Sequence, residues 1–224
     1  MIKNISNLGD AAVYCDFGQE VNKSVNSEVI KYFKALKKEN VESINNLTPS
    51  YNKLIVSYDL RKTNFKEVKK LIENLNVNET QDNNSTKIEI PVCCDDQFSL
   101  DIKRLEEKLK IDRENIYKNF FNKNFFCYMT GFIAGMPFLG DLDKTMRVKR
   151  LETPRVKVPK GSVGLTEQFA NIYTFESPGG WNIIGNTPKD IFDSSKEIGP
   201  NLINPGDTIT FIRITKDQYQ NYNE

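Results

Sequence analysis

The sequence contains no histidine. That absence removes Ser-His-Asp and Cys-His catalysis, both of which need an imidazole base, and it removes histidine zinc sites and proton shuttles. Acid–base chemistry in this chain would fall to Asp, Glu, Lys, Tyr or Cys. Cysteine is scarce: Cys15, Cys93, Cys94 and Cys127 include no C-x-x-C pair, and the adjacent Cys93 and Cys94 have poor geometry for an ordinary disulfide. Reduced, partly buried thiols are the expectation. Net charge is nearly absent as well. With 31 Lys and Arg against 30 Asp and Glu, the balance of +1 gives no global drive toward nucleic acid or an acidic membrane. No stretch approaches the roughly 18 apolar residues of a membrane span, and the opening MIKNISNLGDAAVYCDFG has no continuous apolar core, so a cytoplasmic address is expected. No G-x-x-x-x-G-K-[ST] run occurs, which argues against nucleotide binding in the Walker manner.

What is present is ordinary globular material: 38% aliphatic and aromatic residues and 27% charged residues in 224. A chain of this length folds without disulfide or metal staples and divides naturally into one large or two small domains. Residues 11–17 read as a strand. Residues 22–38 read as an amphipathic helix on the spacing of Val25, Val29, Phe33 and Leu36. Residues 41–46 are a weak strand, and Leu54, Val56 and Tyr58 alternate as a better one. Helical period returns at 64–75, with Asn64 as its cap. The polar run 76–86 reads as a linker, and KIEIPV at 87–92 as a strand. The order β-α-β-β-α-β is that of a ferredoxin-like α+β unit, although its last strand could belong to a second domain. Two helices near 99–110 and 112–123, capped by Ser99 and Asp112, come next. After residue 124 glycine and proline become frequent, and the short runs FCYMTGF, RVKVP, NIYTF, WNIIG and TITFIRI read as an all-β barrel or sandwich. The polar tail KDQYQNYNE is expected to fray. These elements place an α+β domain at 1–86 and a β-barrel domain at 87–224.

Three segments could carry chemistry. GFIAGMPFLG (131–140) is either a barrel turn packed by Phe132 and Phe138 or a loop whose glycines let backbone amides approach a ligand. In RLETPRVKVPKGSVG (150–164) two prolines keep the chain extended and place it on a rim; Arg150 and Arg155 are candidates for carboxylate or phosphate recognition, or else a solvated basic face. In IYTFESPGGWNIIGNTP (172–188) Ser177, Gly179 and Gly180 precede the only tryptophan, Trp181, forming either a tight turn or a ligand loop.

Together these segments resemble a known family. It holds the KipI-like subunit of bacterial 5-oxoprolinase, the allophanate hydrolase subunit 1 proteins and the matching part of the urea carboxylase carboxyltransferase domain. The similar residues include Gly9-Asp10, Phe17-Gly18, Ile90-Pro91-Val92, Gly131-Phe132, Gly135, Pro137, Pro154-Arg155, Gly161-Ser162-Val163-Gly164, Ser177-Pro178-Gly179-Gly180-Trp181, Thr187-Pro188 and Asn204-Pro205-Gly206-Asp207. The resemblance implies a small α+β N-terminal domain followed by a cyclophilin-like β-barrel. It also implies partnership with a KipA-like subunit of the same barrel fold and a LamB/YcsF-like subunit, in a system that opens 5-oxo-L-proline to glutamate at the expense of ATP. No cofactor is expected on this chain itself; ATP would be used by the assembled complex. A histidine kinase is a further implied partner, since one relative restrains such a kinase.

On that resemblance the substrate-binding candidates are Arg155 for a carboxylate, Ser177 with the Gly179 and Gly180 amides for a carbonyl, and Tyr128, Ser162, Tyr173 and Trp181 as lining. The catalytic residue is left open. The departures are instructive: a family histidine upstream of the Gly-Phe pair is replaced by Phe120, and Phe169 stands where an amide is usual. A phenyl ring can neither transfer a proton nor hydrogen-bond a lactam. The competing expectation is therefore a catalytically degenerate binding or regulatory protein, in which both rings would fill the cavity. Prolyl isomerisation, suggested by the barrel alone, has no sequence feature behind it, and nothing near Cys127 in sequence lowers its pKa for thiol chemistry.

Overall fold

The computed structural model describes residues 1–77 and 86–223, so most of the expected linker at 76–86 lies outside the described residues. The chain divides into two compact units, Met1–Ser85 and Thr86–Glu224.

The first unit contains β1 (Asn4–Asn7), β2 (Ala12–Asp16), α1 (Lys23–Glu39), β3 (Ile44–Pro49), β4 (Lys53–Tyr58) and α2 (Phe65–Glu73). Its four strands form one antiparallel sheet in the order β1-β2-β4-β3. Alternation along β2 and β4 buries Val13 and Cys15 with Leu54, Val56 and Tyr58, and the helices supply Val29, Leu36, Val68 and Ile72 to the same core. Asn22 caps α1 through the Val25 N–H, and Asn64 caps α2 through the N–H groups of Lys66 and Glu67. The fourth strand of this sheet is β1, which sequence reading missed; KIEIPV goes to the second unit instead. Asn4–Asn7 reads Asn-Ile-Ser-Asn, with Ile5 as its one large apolar side chain, so no period-2 signal announces it.

The second unit opens with β5 (Lys87–Cys93), α3 (Ile102–Leu109) and α4 (Arg113–Phe121). Then follow β6 (Asn124–Thr130), β7 (Pro137–Gly140), β8 (Arg155–Val158), β9 (Ser162–Thr166), β10 (Phe169–Ile172), β11 (Ser177–Gly179), β12 (Asn182–Asn186), β13 (Thr208–Ile214) and α5 (Lys216–Gln220). Seven strands close into a barrel in the order β10-β7-β6-β13-β5-β12-β9, and β8 and β11 form a separate two-stranded ribbon. β5 and β13 run parallel; the other pairings are antiparallel. Pro91 sits in β5, whose seam with β12 shows only the Asn186–Cys93 pairing, so its missing N–H interrupts little.

The barrel interior is filled by alternate residues of every strand, among them Ile90, Val92, Phe125, Cys127, Leu139, Val163, Leu165, Ile172, Ile184 and Phe211. Helices α3 and α4 add Leu105, Ile116 and Phe120 to the same core. Asp112 caps α4 as expected, but Ser99 does not cap α3: its hydroxyl is buried, with its one proton shared between the Ile184 carbonyl at 2.8 Å and the Cys94 carbonyl at 3.0 Å, and Asp101 occupies the N-cap position. The tail expected to fray instead forms α5, closed by a capping box between Thr215 and Gln218. Among the described residues no helix is long and apolar enough to cross a membrane.

Candidate functional site

Strand alternation decides where the candidate residues point. Because Phe125, Cys127, Leu139, Val163, Leu165, Ala170, Ile172 and Ile184 face the barrel interior, their neighbours Tyr128, Phe138, Gly164, Phe169, Asn171 and Ile183 face outward. That outer face is nonetheless buried. Met136, Val158, Tyr173 and Ile183 form a small apolar cluster of their own, distinct from the barrel core. The site is therefore on the outside of the barrel wall, beneath the β8–β11 ribbon.

The ribbon register sets Gly179 opposite Arg155 and Ser177 opposite Val158. Both segments expected to form a rim thus lie side by side, and the prolines flanking β8 keep it out of the barrel ladder. Gly179 presses directly on Tyr173: a Cβ built there would collide with the tyrosine hydroxyl and stand 2.7 Å from its Cζ. Gly164 plays the matching part underneath, since a Cβ on it would stand 2.6 Å from Asn171 Oδ1 and 2.9 Å from Trp181 Cβ. Two glycines thus admit close approach of backbone to three buried side chains. Trp181 packs edge-on against Phe138 with ring centroids 5.6 Å apart.

Buried polar groups are nearly always hydrogen-bonded, and this unit mostly obeys that rule. The Asn182 amide donates to the carbonyls of Lys149 and Leu165 and accepts from Arg104, and Asn186 donates to Lys160 O and accepts from the Tyr219 hydroxyl. In contrast, Asn171 Oδ1, the Tyr173 hydroxyl and Ser177 Oγ, all in this one region, are buried with no hydrogen-bond partner among the described residues. The Asn171 side chain and the Trp181 N–H lie beside the Tyr173 hydroxyl, yet neither closes a bond of ordinary geometry with it. Burial raises the Tyr173 phenol above its usual value, while Asn171, the Trp181 N–H and the guanidinium groups of Arg150 and Arg155 pull it back. The result is a neutral donor next to an unused amide oxygen in a desolvated place. The pair offers one hydrogen-bond donor and one acceptor, both enclosed by protein.

Arg155 is not free for a ligand carboxylate. Its Nη1 and Nη2 donate to Asp101 Oδ2 and Oδ1 at 2.9 and 2.6 Å, and Asp101 Oδ2 also accepts from the Ile183 N–H at 2.7 Å. Asp101 carried no distinguishing signal in the sequence beyond standing before a helix. Asn171 was also missed, because an amide in a strand reads as neutral material.

The remaining candidates separate. Ser162 is buried on β9, and its carbonyl accepts from the Tyr173 N–H at 2.9 Å, so it braces Tyr173 through the backbone. Tyr128 stands apart beside Phe169, its hydroxyl donating to Asp141 Oδ2 at 2.8 Å. Phe120 and Phe169 do not share a cavity. Phe120 is fully buried in the barrel core, 4.8 Å from Phe211, whereas Phe169 lies on the outer face against Tyr128. Phe132, expected in one reading to pack a turn, is 70% exposed. Cys127 is buried in the core with its thiol pushed well above the usual range by desolvation, which leaves no thiolate for chemistry.

An α+β unit followed in the chain by a closed seven-stranded barrel defines the fold class. Residues 3–202 match the carboxyltransferase domain, subdomain C and D, and the chain belongs to that family. It is 31% identical over 232 residues to the B subunit of 5-oxoprolinase from Bacillus subtilis, covering 98% of this chain and 96% of that protein. The protein of the same name in Haemophilus influenzae is 31% identical over 93% of this chain and 97% of its own length. Among solved structures, TTHA0988 superposes with a TM-score of 0.83 at 26% identity, over 92% of this chain but 40% of that one. This chain thus spans less than half the length of TTHA0988. PH0987 from Pyrococcus horikoshii superposes with a TM-score of 0.58 at 33% identity, over 96% of this chain and all of that one.

Proposed function

We propose that this chain is the B subunit of an ATP-dependent 5-oxoprolinase, acting with a KipA-like subunit and a LamB/YcsF-like subunit to open 5-oxo-L-proline to L-glutamate. The observation that carries this reading is similarity running almost end to end in both directions with two proteins that bear the name of that B subunit. The unpartnered Asn171 Oδ1 and Tyr173 hydroxyl support it, since a lactam offers one N–H and one carbonyl at fixed separation. In this reading Asn171 accepts from the ring N–H, Tyr173 donates to the ring carbonyl, and Ser177 with the Gly179 and Gly180 amides lines the approach. Polarising that carbonyl favours attack at its carbon. One water then replaces the ring nitrogen, leaving a free amine and a second carboxylate, while a second water takes the terminal phosphoryl group of ATP as phosphate. Nucleotide chemistry is assigned to the assembled complex.

The test is reconstitution. The purified chain, mixed with both partner subunits, ATP and 5-oxoproline, produces glutamate, and omission of this chain abolishes the product. Absence of glutamate from the full mixture would refute the reading.

A regulatory role of the kinase-inhibitor type is favoured by a different observation, the exposure of Phe132 at 70%, Val156 at 80% and Phe175 at 41%. Apolar side chains of this size mark an interaction surface where they gather into one patch. Under that reading the purified chain lowers histidine kinase autophosphorylation, and charged replacements of Phe132 and Val156 relieve the inhibition.

A further inference from the structure

The β8–β11 ribbon is held to the barrel by few groups. Among the described residues no backbone hydrogen bond joins either of its strands to a barrel strand. Proline keeps it apart: Pro154 precedes β8, Pro159 follows it, and Pro178 stands inside β11 where the register shifts. One face is bare, with Val156 80% exposed and Lys157 and Pro178 also in water. On the other face Val158 is buried with Met136, Tyr173 and Ile183, and Arg155 pairs with Asp101. Among the described residues that pair is the one hydrogen-bonded tie from β8 or β11 to the rest of the unit.

Closure also carries a penalty. Asn171 Oδ1, the Tyr173 hydroxyl and Ser177 Oγ are buried without partners. Ser177 belongs to the ribbon itself, and the Gly179 position two residues on presses against the Tyr173 hydroxyl. A polar group that gives up water for no partner destabilises the state that buries it. Water returns to these atoms when either the wall or its cover moves. The wall is fixed: β10 is paired on both sides, to β7 and β9, and Tyr173 is bonded through its N–H to Ser162 O and through its carbonyl to the Gly161 N–H. The cover is not fixed in this way.

We propose that the ribbon is a strap that lifts from the barrel wall, latched by Arg155 on Asp101, and that lifting is what uncovers Asn171 and Tyr173. Val158 and the latch favour closure, and the three unpartnered atoms oppose it, so opening takes place locally while the barrel stays folded. Access to the two side chains is then governed by motion rather than by a standing cavity. This holds whatever the ligand, and so stands apart from the 5-oxoprolinase reading.

The experiment is amide hydrogen exchange on the full chain, read by mass spectrometry on peptides from 151–160 and 175–180 and on peptides from β9 and β12. In the wild type the ribbon amides exchange at least about tenfold faster than those of β9 and β12. Arg155→Gln, which leaves Asp101 its bond from the Ile183 N–H, quickens ribbon exchange about tenfold or more, the range for losing a charge-assisted hydrogen bond, while β9 is unchanged. Tyr173→Phe removes an unpartnered hydroxyl from the closed state alone, and slows ribbon exchange about fivefold. General loosening would quicken exchange in both variants, so the opposite signs are the mark of a strap. Arg155→Lys, which keeps the charge and loses the fork, gives an intermediate rate and serves if the glutamine variant does not fold. Ribbon amides that exchange with β9 in the wild type overturn the proposal. So does a Tyr173→Phe ribbon that exchanges as fast as wild type or faster, and wild-type exchange in the folded Arg155 variants removes the latch.

Discussion

Arg155 grips a carboxylate, and the carboxylate is the protein's own Asp101, joined by two hydrogen bonds of 2.9 and 2.6 Å. Asp101 is anchored in turn: its Oδ2 accepts from the Ile183 N–H at 2.7 Å, and its own N–H donates to Ile183 O at 3.0 Å. One side chain therefore ties the start of α3, the start of β12 and the ribbon strand β8 together. Removing it leaves a half-buried guanidinium and a buried backbone N–H without partners. Asp101→Ala is expected to cost roughly 3 kcal/mol, the low end for breaking a buried pair, because Arg155 keeps 28% of its side-chain surface in water. Asp101→Asn, which can still accept from Ile183, is expected to cost about half of that. Urea denaturation of the two variants checks the order; equal losses would show that the charge contributes nothing.

The contact between Gly179 and Tyr173 predicts a coupled pair. Gly179→Ala drives a methyl into the phenol and should cost roughly 1–3 kcal/mol as overpacking. Tyr173→Phe deletes a hydroxyl that has no partner, so by itself it should be near neutral or stabilising. With the hydroxyl gone, the next atom met by the built Cβ is Cζ at 2.7 Å, so the double variant should lose less than the sum of the single ones. Chemical denaturation of all four proteins measures the coupling, and strict additivity would refute the clash. A stabilised Tyr173→Phe that fails in the reconstituted complex is the combination expected of a residue kept for binding.

Restoring the family histidine should not restore anything. Phe120 is fully buried among Phe121, Phe125 and Phe211, with centroids 4.8–5.4 Å away. An imidazole there would lose aromatic packing and leave at least one ring nitrogen unsatisfied. Phe120→His is expected to lower stability by roughly 2–4 kcal/mol, with no gain in 5-oxoproline turnover by the complex. A gain in turnover would mean that the core position communicates with the outer wall.

Phe120 also shows how far the sequence could be read. Its replacement of a histidine is visible in the letters, and the loss of proton chemistry follows from them. That it packs from α4 into the core, while Phe169 lies on the outer face of β10, depends on helix packing and on strand register, which no local pattern fixes for so short a β10. The helices were legible because Val29, Leu36, Val68 and Ile72 repeat at helical spacing and Asn64 announces a start. The rim position of the Pro154–Pro159 segment was legible because proline removes ladder donors. Arg155 was misjudged for a physical reason: its partner stands 54 residues away, and a salt bridge across that separation leaves no local mark. The same holds for Asn171, whose significance lies in a bond it does not make.

The thiols give a pH prediction with a definite sign. All four cysteines are buried, and desolvation pushes Cys15 and Cys94 from 9.0 to about 12. Native protein at pH 8 should therefore react with a thiol reagent only at the rate of unfolding, and fully after denaturation. Because the folded state holds these thiols protonated, their contribution to stability is complete below pH 9, the unfolded value. It declines as the pH rises from there toward 12, where the unfolded chain has ionised and the folded one has not. Cys15→Ala should reduce that alkaline slope in the unit that contains it, measured as the melting temperature between pH 8 and 11. A slope unchanged by the substitution would show that the Cys15 thiolate is tolerated where it lies, and rapid labelling of native Cys15 at pH 8 would show that the sheet core opens without unfolding.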